Sequence, residues 1–204
     1  NLFKAMNLDY IYVVKGNDIA SLIEAFEKVK DTKKAVVVHI NTLKGKGYAP
    51  AEQNKEEWHW HMPFDIATGE SLSKGGEPDF ADASLEYLLK KMDEDKSVVA
   101  ITAGTPTADM RAKAGKQFVD VGIAEETAVA LASGIAANGG KPVFGVYSSF
   151  IQRAYDQITQ DVCINGNAVT FAVFAGSVYG MNDVTHLGLQ DIPMLNSIPG
   201  LVYL

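Results

Sequence analysis

The apolar residues of the chain recur with helical and extended spacing in alternation. A stripe at intervals of three and four predicts a helix with one buried face. The stripe consists of Ile19, Leu22, Ile23, Phe26 and Val29. Asp18 can cap this helix, and the β-branched run at 35–40 is typical of a strand buried on both faces of a parallel sheet. Helix followed by buried strand indicates an α/β fold.

The segment from Asn41 to about Pro78 has no apolar periodicity and is rich in Gly, Pro, His, Trp and charged residues. Unstructured stretches of this length are uncommon in compact domains, and they are usually functional loops or linkers. We therefore expect a domain boundary near its end, with one domain over residues 1–73 and a second over residues 74–204.

The second segment repeats the alternation of helix and strand. A helix is predicted from Asp79 to Met92, with Phe80, Ala83, Tyr87 and Leu88 on one side. Further predictions are strands at 98–102, 118–120, 143–147 and 169–174, a helix at 125–138 closed by two glycines, and a helix from a Ser148 or Ser149 cap to Ile164. Such alternation predicts a mostly parallel sheet flanked by helices.

Composition favours small-molecule chemistry. The 204 residues carry a formal charge of −7, and the isoelectric point near 5.1 argues against a nucleic-acid or anionic-membrane surface. The one cysteine, Cys163, offers no disulfide framework, which fits a reducing cytoplasm and a small core residue. No stretch approaches the roughly 20 apolar residues that span a bilayer. The start at Asn1 and the apolar run at 200–204 suggest that both ends are cut.

The first polar cluster with chemical potential is Lys44–Glu52, directly after the predicted strand at 35–40. Its glycines allow close approach of the backbone to a ligand, although a solvated basic turn has the same composition. His59 and His61 follow beside two tryptophans. Two histidines at i and i+2 can bind a metal, but the sequence shows no third ligand.

Two further clusters run from a strand end into a helix. They are Phe118–Glu126 and Tyr147–Gln157. Taken alone, the acidic residues of the first suit a helix start, and the second fits an amphipathic helix with an exposed arginine.

Together these motifs resemble the 1-deoxy-D-xylulose-5-phosphate synthase family of the transketolase class. The similar stretches, in the same order and with similar spacing, are KGKGYAPAE, the His59 element, PFDIATG, DVGIAE and YSSFIQRAYDQ. The resemblance covers about Ala35 to Leu204. It implies a thiamine-diphosphate-binding α/β fold, in which residues 1–73 end the diphosphate-binding domain and residues 74–204 form a truncated pyrimidine-binding domain.

The resemblance also implies roles for individual residues. Glu125 corresponds to the carboxyl group that bonds N1′ of the aminopyrimidine and enables deprotonation of the thiazolium C2. Phe150 corresponds to the aromatic residue that packs on the pyrimidine, and Lys44 and Tyr48 to cofactor contacts. His59 and His186 correspond to histidines that handle protons and hydroxyls at the substrate.

Tyr147 and Arg153 correspond to residues of the acceptor channel. Here the chain departs from the family pattern. Ala175 stands where the family has an arginine expected to hold the acceptor phosphate, and Asn182 stands where it has an aspartate that contacts the acceptor. The family sequence Asp-Gly-His-Asp is Lys15–Asp18 here. The departures predict a different, non-phosphorylated acceptor.

The family's Gly-Asp-Gly and Asn motif for Mg²⁺ and diphosphate is absent from the sequence. We therefore expect the Mg²⁺ ligands to lie outside this segment, no metal site within it, and no activity for the segment alone. The activity implied is decarboxylation of pyruvate, or use of another ketone donor, with transfer of a two-carbon unit to an aldehyde for isoprenoid biosynthesis. The alternatives are ketol transfer between sugars and a non-catalytic subunit. A cytoplasmic homodimer is expected.

Overall fold

The chain is divided into two compact units, Asn1–Lys74 and Gly75–Leu204. The computed structural model describes residues 2–73, 79–105, 108–176 and 184–204. The domain boundary predicted between residues 73 and 74 lies one residue before the division between the units. The assignment of the two units to cofactor-binding domains stays a prediction.

The first unit contains a two-stranded parallel sheet and short helices. Its elements are α1 Leu2–Ala5, β1 Asp9–Val13, α2 Ile19–Glu27, β2 Val36–Ile40, α3 Ala49–Gln53 and a 3₁₀ turn at Glu57–His59. The register runs from Asp9 opposite Val36 to Val13 opposite Ile40. The segment after β2, expected to be irregular, therefore includes one short helix and one helical turn.

Helix α2 begins as predicted but does not bury the predicted stripe. The Asp18 carboxylate accepts a hydrogen bond from the Ser21 backbone N–H at 2.8 Å, which confirms the cap. Ile19, Ile23 and Phe26 are 72%, 58% and 50% exposed, so the predicted buried face is wrong for these residues. A sheet of two strands offers too little surface to cover a full helical stripe, and β2 is correspondingly only half-buried.

The second unit is built on a four-stranded parallel sheet, which confirms the predicted fold class. The strands are β3 Val98–Thr102, β4 Phe118–Asp120, β5 Lys141–Tyr147 and β6 Thr170–Phe174. Their order is β4-β3-β5-β6, and every neighbouring pair is parallel. All four strands therefore end at the same edge of the sheet.

Helices connect these strands. They are α4 Phe80–Glu94, α5 Ala108–Ala114, α6 Glu125–Ala137, α7 Ser148–Ile151, α8 Tyr155–Gln157 and α9 Asp191–Asn196. Three 3₁₀ turns, at Gly115–Gln117, Gln152–Ala154 and Val184–His186, and a π-helix at Ile158–Ile164 complete the described elements. None of the helices in the described ranges is long and apolar enough to cross a membrane.

The core lies where α6 crosses the two central strands. Ala128, Val129 and Ala132 of this helix are fully buried against Phe144 and Ile101 of β5 and β3. The small alanines let the helix backbone approach the sheet closely, so that the start of α6 is held firmly at the sheet edge.

Helix α4 packs with a different face from the one predicted. Asp79 forms a capping box with Asp82, as its position before the helix suggests. Phe80 is 94% and Tyr87 62% exposed, so the predicted packing face is wrong except at Leu88. The packed residues are Leu85, Leu88, Leu89 and Met92. These residues recur with helical spacing, as the predicted set does. The side of α4 that packs is therefore the one that carries Leu and Met.

The helix predicted from Ser148 to Ile164 is interrupted. Its N-cap is Tyr147, which makes no side-chain cap bond, so the predicted serine caps are wrong. In the π-helical part, Ser133 of α6 donates a hydrogen bond to the Asp161 carbonyl at 2.6 Å, and Asn167 donates to the Ser133 hydroxyl at 2.8 Å. The Asp161 carbonyl thus accepts a hydrogen bond from a side chain of another helix. Such a bond is an alternative to regular α-helical hydrogen bonding.

Gln117 ties the end of α4 to the first residues of β3. Its amide nitrogen donates to the carbonyl oxygens of Met92, Asp95 and Val98 at 3.0, 3.2 and 2.9 Å. The Lys96 ammonium donates to its amide oxygen at 3.3 Å. The two N–H bonds of one side chain are thus shared among three partly buried carbonyl groups.

Replacing Gln117 with leucine is expected to lower the free energy of unfolding by about 1–3 kcal/mol, because the hydrogen bonds to these carbonyls are lost. The Met92 and Asp95 carbonyls keep a second donor, Lys96 Nζ and the Val98 N–H respectively. Urea unfolding monitored by circular dichroism measures the change. Gln160→Leu on the exposed surface of the π-helix is the matched control and should be nearly neutral. Equal effects of both substitutions would show that the three carbonyl contacts contribute little.

Candidate active site

The carboxyl edge of the four-stranded sheet gathers most of the predicted site residues of the second unit. Asp120 ends β4, and Glu125 follows it at the start of α6. Tyr147 ends β5, and Phe150 follows in α7. Because the strands are parallel, these two strand-to-helix junctions lie at one edge, where α/β proteins bind their ligands.

Glu125 is a buried carboxyl group with incomplete hydrogen bonding. It is only 2% exposed, and its Oε2 atom has no hydrogen-bond partner among the described residues. A buried polar atom without a partner costs free energy, and such atoms are uncommon outside functional sites. The position at the first turn of α6 offsets part of this cost, because the helix dipole favours a negative charge there.

Arg153 lies beside this carboxyl group. Its Nη1 atom is 3.4 Å from Glu125 Oε2, and its Nε atom is 3.8 Å from Glu126 Oε1. The first distance is an ion pair whose geometry does not make a hydrogen bond, which is why Oε2 is still unsatisfied. The predicted role of Arg153 in an acceptor channel stays a prediction. The structure adds an ion pair between Arg153 and Glu125, the predicted catalytic residue.

Three predicted residues form an aromatic cluster at the same edge. The rings of Tyr147 and Phe150 lie 5.9 Å apart, and the His186 ring is 5.0 Å from Phe150 and 6.3 Å from Tyr147, all in edge-to-face geometry. Thr185 Oγ1 lies 2.8 Å from His186 Nδ1. Residues predicted for the cofactor and the substrate are thus brought together.

Three buried hydroxyl groups at this edge were not singled out as site residues. The side-chain oxygens of Thr102, Ser148 and Ser149 are buried without a hydrogen-bond partner within the described ranges. The serines were interpreted only as helix caps, and Thr102 only as part of a strand. The sequence feature that could have indicated them is the pair Ser148 and Ser149 directly after a buried strand.

Asp120 is a second residue whose role the sequence did not show. Its Oδ1 atom accepts hydrogen bonds from the N–H groups of Gly104 and Gly122, both at 2.9 Å. Its Oδ2 atom accepts one from Arg111 Nη2 at 2.9 Å. Burial acts to raise the pKa of Asp120, but the Gly122 and Gly104 N–H groups and the Arg111 guanidinium outweigh burial and lower it.

The loop after β6 begins with a strained residue. Ala175 has a φ of 53°, a left-handed conformation that costs an alanine about 1–2 kcal/mol. A Cβ atom on Gly188 would lie 2.3 Å from the Ala175 carbonyl oxygen and 2.7 Å from Ser148 Oγ, so only glycine fits there. Asn182, predicted to contact the substrate, lies outside the described residues.

In the first unit, the basic loop after β2 places Lys44 on His59. Gly45 and Gly47 have φ of 82° and 101°, which only glycine adopts readily. Lys44 Nζ lies 2.6 Å from His59 Nδ1. An ammonium group can only donate, so Nδ1 accepts and the imidazole carries its proton on Nε2. The sequence of this loop also fitted a solvated basic turn. In the structure its Lys44 contacts His59, which is predicted to be catalytic.

Tyr48 belongs to an aromatic cluster rather than to an open surface. Its ring lies 5.0 Å from Trp58 and 5.8 Å from Phe64, and His61 stacks on Trp58 at 4.5 Å. The Tyr48 hydroxyl is buried and has no hydrogen-bond partner in the described part of the chain. A Cβ atom on residue 69 would lie 3.3 Å from that hydroxyl, so a residue larger than Gly69 would press on it.

The two histidines of this loop are engaged separately. His61 Nδ1 donates to the Met62 carbonyl at 2.9 Å, while His59 Nδ1 faces the Lys44 ammonium. Across the described residues there is no group of three or more His, Cys, Asp and Glu side chains that could hold a metal ion.

Family models match most of the chain. The family model of the transketolase pyrimidine-binding domain matches residues 76–204. Because this match covers more than half of the chain, the chain belongs to that family. The family model described as 1-deoxy-D-xylulose-5-phosphate synthase matches residues 1–42. The resemblance inferred from the motifs is confirmed.

Curated relatives of the chain include 1-deoxy-D-xylulose-5-phosphate synthases. The chain is 45% identical over 206 residues to 1-deoxy-D-xylulose-5-phosphate synthase 2 of Geobacter sulfurreducens, covering 98% of this chain and 33% of the relative. It is 39% identical over 205 residues to 1-deoxy-D-xylulose-5-phosphate synthase of Pelotomaculum thermopropionicum, covering 98% and 32%. The chain spans about a third of the length of the curated relatives it matches.

A solved structure has a similar fold. It is described as a split gene transketolase, inactive beta4 tetramer, and it matches with a TM-score of 0.51 over 61% of this chain and 41% of that chain. The sequence identity is 23%, so the likeness concerns the fold alone.

The lowered pKa of Asp120 predicts acid sensitivity of the second unit. A carboxylate whose folded pKa lies below the ordinary 3.8 stabilises the fold at higher pH. That contribution is lost as the pH falls through the folded pKa. Asp95, whose pKa is lowered by Lys141 and Ser97, acts in the same direction.

Urea unfolding between about pH 5 and pH 2 measures this loss of stability. Asp120→Asn removes the titrating group, so the variant should be less stable than the native protein at pH 5 and its stability should depend less on pH. An unchanged pH slope in the variant would contradict the assignment.

Proposed function

We propose that this chain is part of a thiamine-diphosphate-dependent transferase that decarboxylates pyruvate and ligates the two-carbon unit to an aldehyde. The observation that carries the proposal is the buried Glu125 carboxyl group with its unsatisfied Oε2 atom at the carboxyl edge of the sheet. The membership of the transketolase pyrimidine-binding family and the name shared by the curated relatives support it.

The side chains of the second unit fit the aminopyrimidine part of the cofactor. An aminopyrimidine ring offers nitrogen atoms that bond a carboxyl group and an apolar face that packs on an aromatic ring. Glu125 has an oxygen atom available for such a bond, and Phe150 lies in the aromatic cluster at the same edge. When bound, thiamine diphosphate supplies the electron sink for breaking and forming carbon–carbon bonds.

In the proposed mechanism, Glu125 would hold the aminopyrimidine of the cofactor and would keep or release a proton at its Oε2 atom. Burial keeps water away from this carboxyl group, so a bound ligand rather than solvent would be its partner. Arg153, 3.4 Å away, balances negative charge at Glu125. Phe150 orients the ring by packing, and Tyr147 and His186 border the same space.

For the first unit we propose that Lys44 and Tyr48 contact the cofactor and that His59 contacts the substrate. Lys44 keeps the His59 proton on Nε2, which prepares that nitrogen as a hydrogen-bond donor. Mg²⁺ bound by ligands outside this segment, a homodimeric assembly and a cytoplasmic location complete the proposal.

The proposed acceptor is an aldehyde that carries no phosphate. Ala175 cannot form the charged, forked hydrogen bonds that an arginine gives to phosphate. Arg153 is already engaged by Glu125 and Glu126. We also propose that Asn182, which stands where the family has an aspartate, contacts the acceptor through its amide group.

Release of CO₂ from pyruvate by the full-length protein tests the reaction class. We expect CO₂ release that depends on thiamine diphosphate and increases when an aldehyde is added. Ketol transfer from a sugar donor without CO₂ release would favour a transketolase. Cofactor binding without any turnover would identify a non-catalytic subunit.

Replacing Glu125 with glutamine should slow proton exchange at the cofactor C2 by at least about 10²-fold, since an amide cannot act as the acid or base. The measurement is hydrogen–deuterium exchange at C2, followed by NMR in the full-length protein. Folding should be retained because the two side chains have nearly the same shape.

Glu126→Gln is the matched control for this prediction. Glu126 is the next residue in the same helical turn and also lies near Arg153. Exchange should change little in the control. If Glu125→Gln exchanges at the native rate, Glu125 is only a helix-start charge, and Glu126 takes its place as the candidate.

The native enzyme is expected to prefer glyceraldehyde 3-phosphate over glyceraldehyde only weakly. A charged hydrogen bond to phosphate contributes about 1.5–3 kcal/mol, or roughly ten- to hundred-fold in specificity. Ala175→Arg should therefore raise the ratio of kcat/KM for the two aldehydes by about that factor.

Ala175→Met is the control, because it adds a long side chain at the same strained φ without the charge. The ratio should stay native in this variant. A native preference for the phosphorylated aldehyde of about a thousand-fold or more would end the proposal of a changed acceptor.

A further inference from the structure

We propose that Asp120 is a positioning residue for Glu125, acting through the turn that joins β4 to α6. This inference rests on the proposed function of Glu125 and deepens it. Asp120 precedes Glu125 in the turn, and both of its carboxylate oxygens accept hydrogen bonds from the protein. It is therefore assigned no contact with substrate or cofactor.

The carboxylate of Asp120 joins three separate segments. One oxygen accepts the N–H groups of Gly104, after β3, and of Gly122, after β4, and the other accepts Arg111 of α5. All three distances are 2.9 Å. Hydrogen bonds to an ionised group are about twice as strong as neutral ones, and three of them at defined angles fix the orientation of the carboxylate.

The bond to Gly122 continues directly into the start of α6. Gly122 has a φ of 73°, and its carbonyl accepts the Ala124 N–H at 2.7 Å. The Ala124 carbonyl then accepts the Ala128 N–H at 3.0 Å, which is the first bond of the helix. The backbone between Asp120 and Glu125 is thus held at Gly122 and again at Ala124, so the Glu125 side chain has a defined origin.

The bond to Gly104 holds the same turn from the opposite side. Gly104 has a φ of 77°, and a Cβ atom there would lie 3.0 Å from Ile123 Cγ1 and 3.3 Å from the Ile123 backbone nitrogen. The loop after β3 therefore packs closely on the loop that leads to Glu125. Asp120 is the side chain that ties these two loops together.

Arg111 prevents the carboxylate from turning away. Its guanidinium carbon also lies 5.3 Å from the centre of the Phe118 ring, two residues before Asp120 on β4. Removal of this cation leaves both amide bonds to Asp120 intact. Arg111→Met therefore separates the orientation of the carboxylate from the anchoring of the loops.

A second aspartate in the same unit, Asp95, allows a purely structural role of Asp120 to be distinguished from a positioning role. Asp95 accepts hydrogen bonds from Lys141 Nζ at 2.7 Å, from the Ser97 N–H at 2.8 Å and from Ser97 Oγ at 2.7 Å. It has the same number of donors as Asp120 but precedes β3, at the amino edge of the sheet. Asp95→Ala is thus a matched control for stability.

The experiment compares Asp120→Ala, Asp120→Asn, Arg111→Met and Asp95→Ala in the full-length protein. Amide hydrogen exchange of Gly104, Gly122 and Ala128 is measured without cofactor, and C2 proton exchange and the Kd of thiamine diphosphate with it. Asp120→Ala should lose protection at all three amides and slow C2 exchange by about tenfold or more, with a smaller change in Kd.

Asp120→Asn keeps the oxygen that accepts both amides, so Gly104 and Gly122 should stay protected and C2 exchange should be intermediate, as in Arg111→Met. Asp95→Ala should lower the urea midpoint and leave the three amides and C2 exchange unchanged. Where Asp120→Ala does not fold, the Asn and Met variants carry the comparison.

The inference is overturned if Asp120→Ala and Asp95→Ala give the same pattern, or if C2 exchange in the Asp120 variants is native. Failure of the native protein to bind thiamine diphosphate would overturn the proposed function instead. The amide exchange of Ala128 without cofactor still decides whether Asp120 holds the start of α6.

Discussion

Parallel pairing of β3, β4, β5 and β6 places all four carboxyl ends at one edge of the sheet, and the candidate site depends on this constraint. The junctions after β4 and β5 begin the turns that carry Glu125 and Phe150. The buried alanine face of α6 lets the helix sit close on the sheet, so the first turn of α6 is presented at this edge.

The cost of this arrangement is concentrated in a few buried polar atoms. The Glu125 carboxyl group and the hydroxyls of Thr102, Ser148 and Ser149 are buried without full hydrogen bonding in the described residues. Left unsatisfied, each lowers stability, typically by about 1–3 kcal/mol. The large core under α6 and the three bonds to Asp120 offset such losses. A site that must bond a ligand keeps its polar atoms free of internal partners, at the expense of stability.

The end of β6 differs in its physical character from the surroundings of Glu125. Around Glu125 the geometry is determined by charge-assisted hydrogen bonds and close helix packing. After β6, the chain turns through a left-handed alanine, and Gly188 fits against Ser148 with no room for a side chain. Steric fit thus fixes how Gly188 packs against Ala175 and Ser148.

The sequence by itself determined the local elements and the family. β-branched runs predicted the strands, Asp18 and Asp79 predicted two helix starts, and the motifs around Tyr48, Glu125 and Phe150 identified the class. Local periodicity could not decide which face of α4 packs, or that α2 stays exposed, because several faces of one helix satisfy the same spacing. Nor could it show the interruption of the helix after β5, where Ser133 donates to the Asp161 carbonyl and Asn167 donates to the Ser133 hydroxyl. The three bonds of Asp120 join residues distant in sequence, so only tertiary structure decided that this aspartate holds the turn before Glu125.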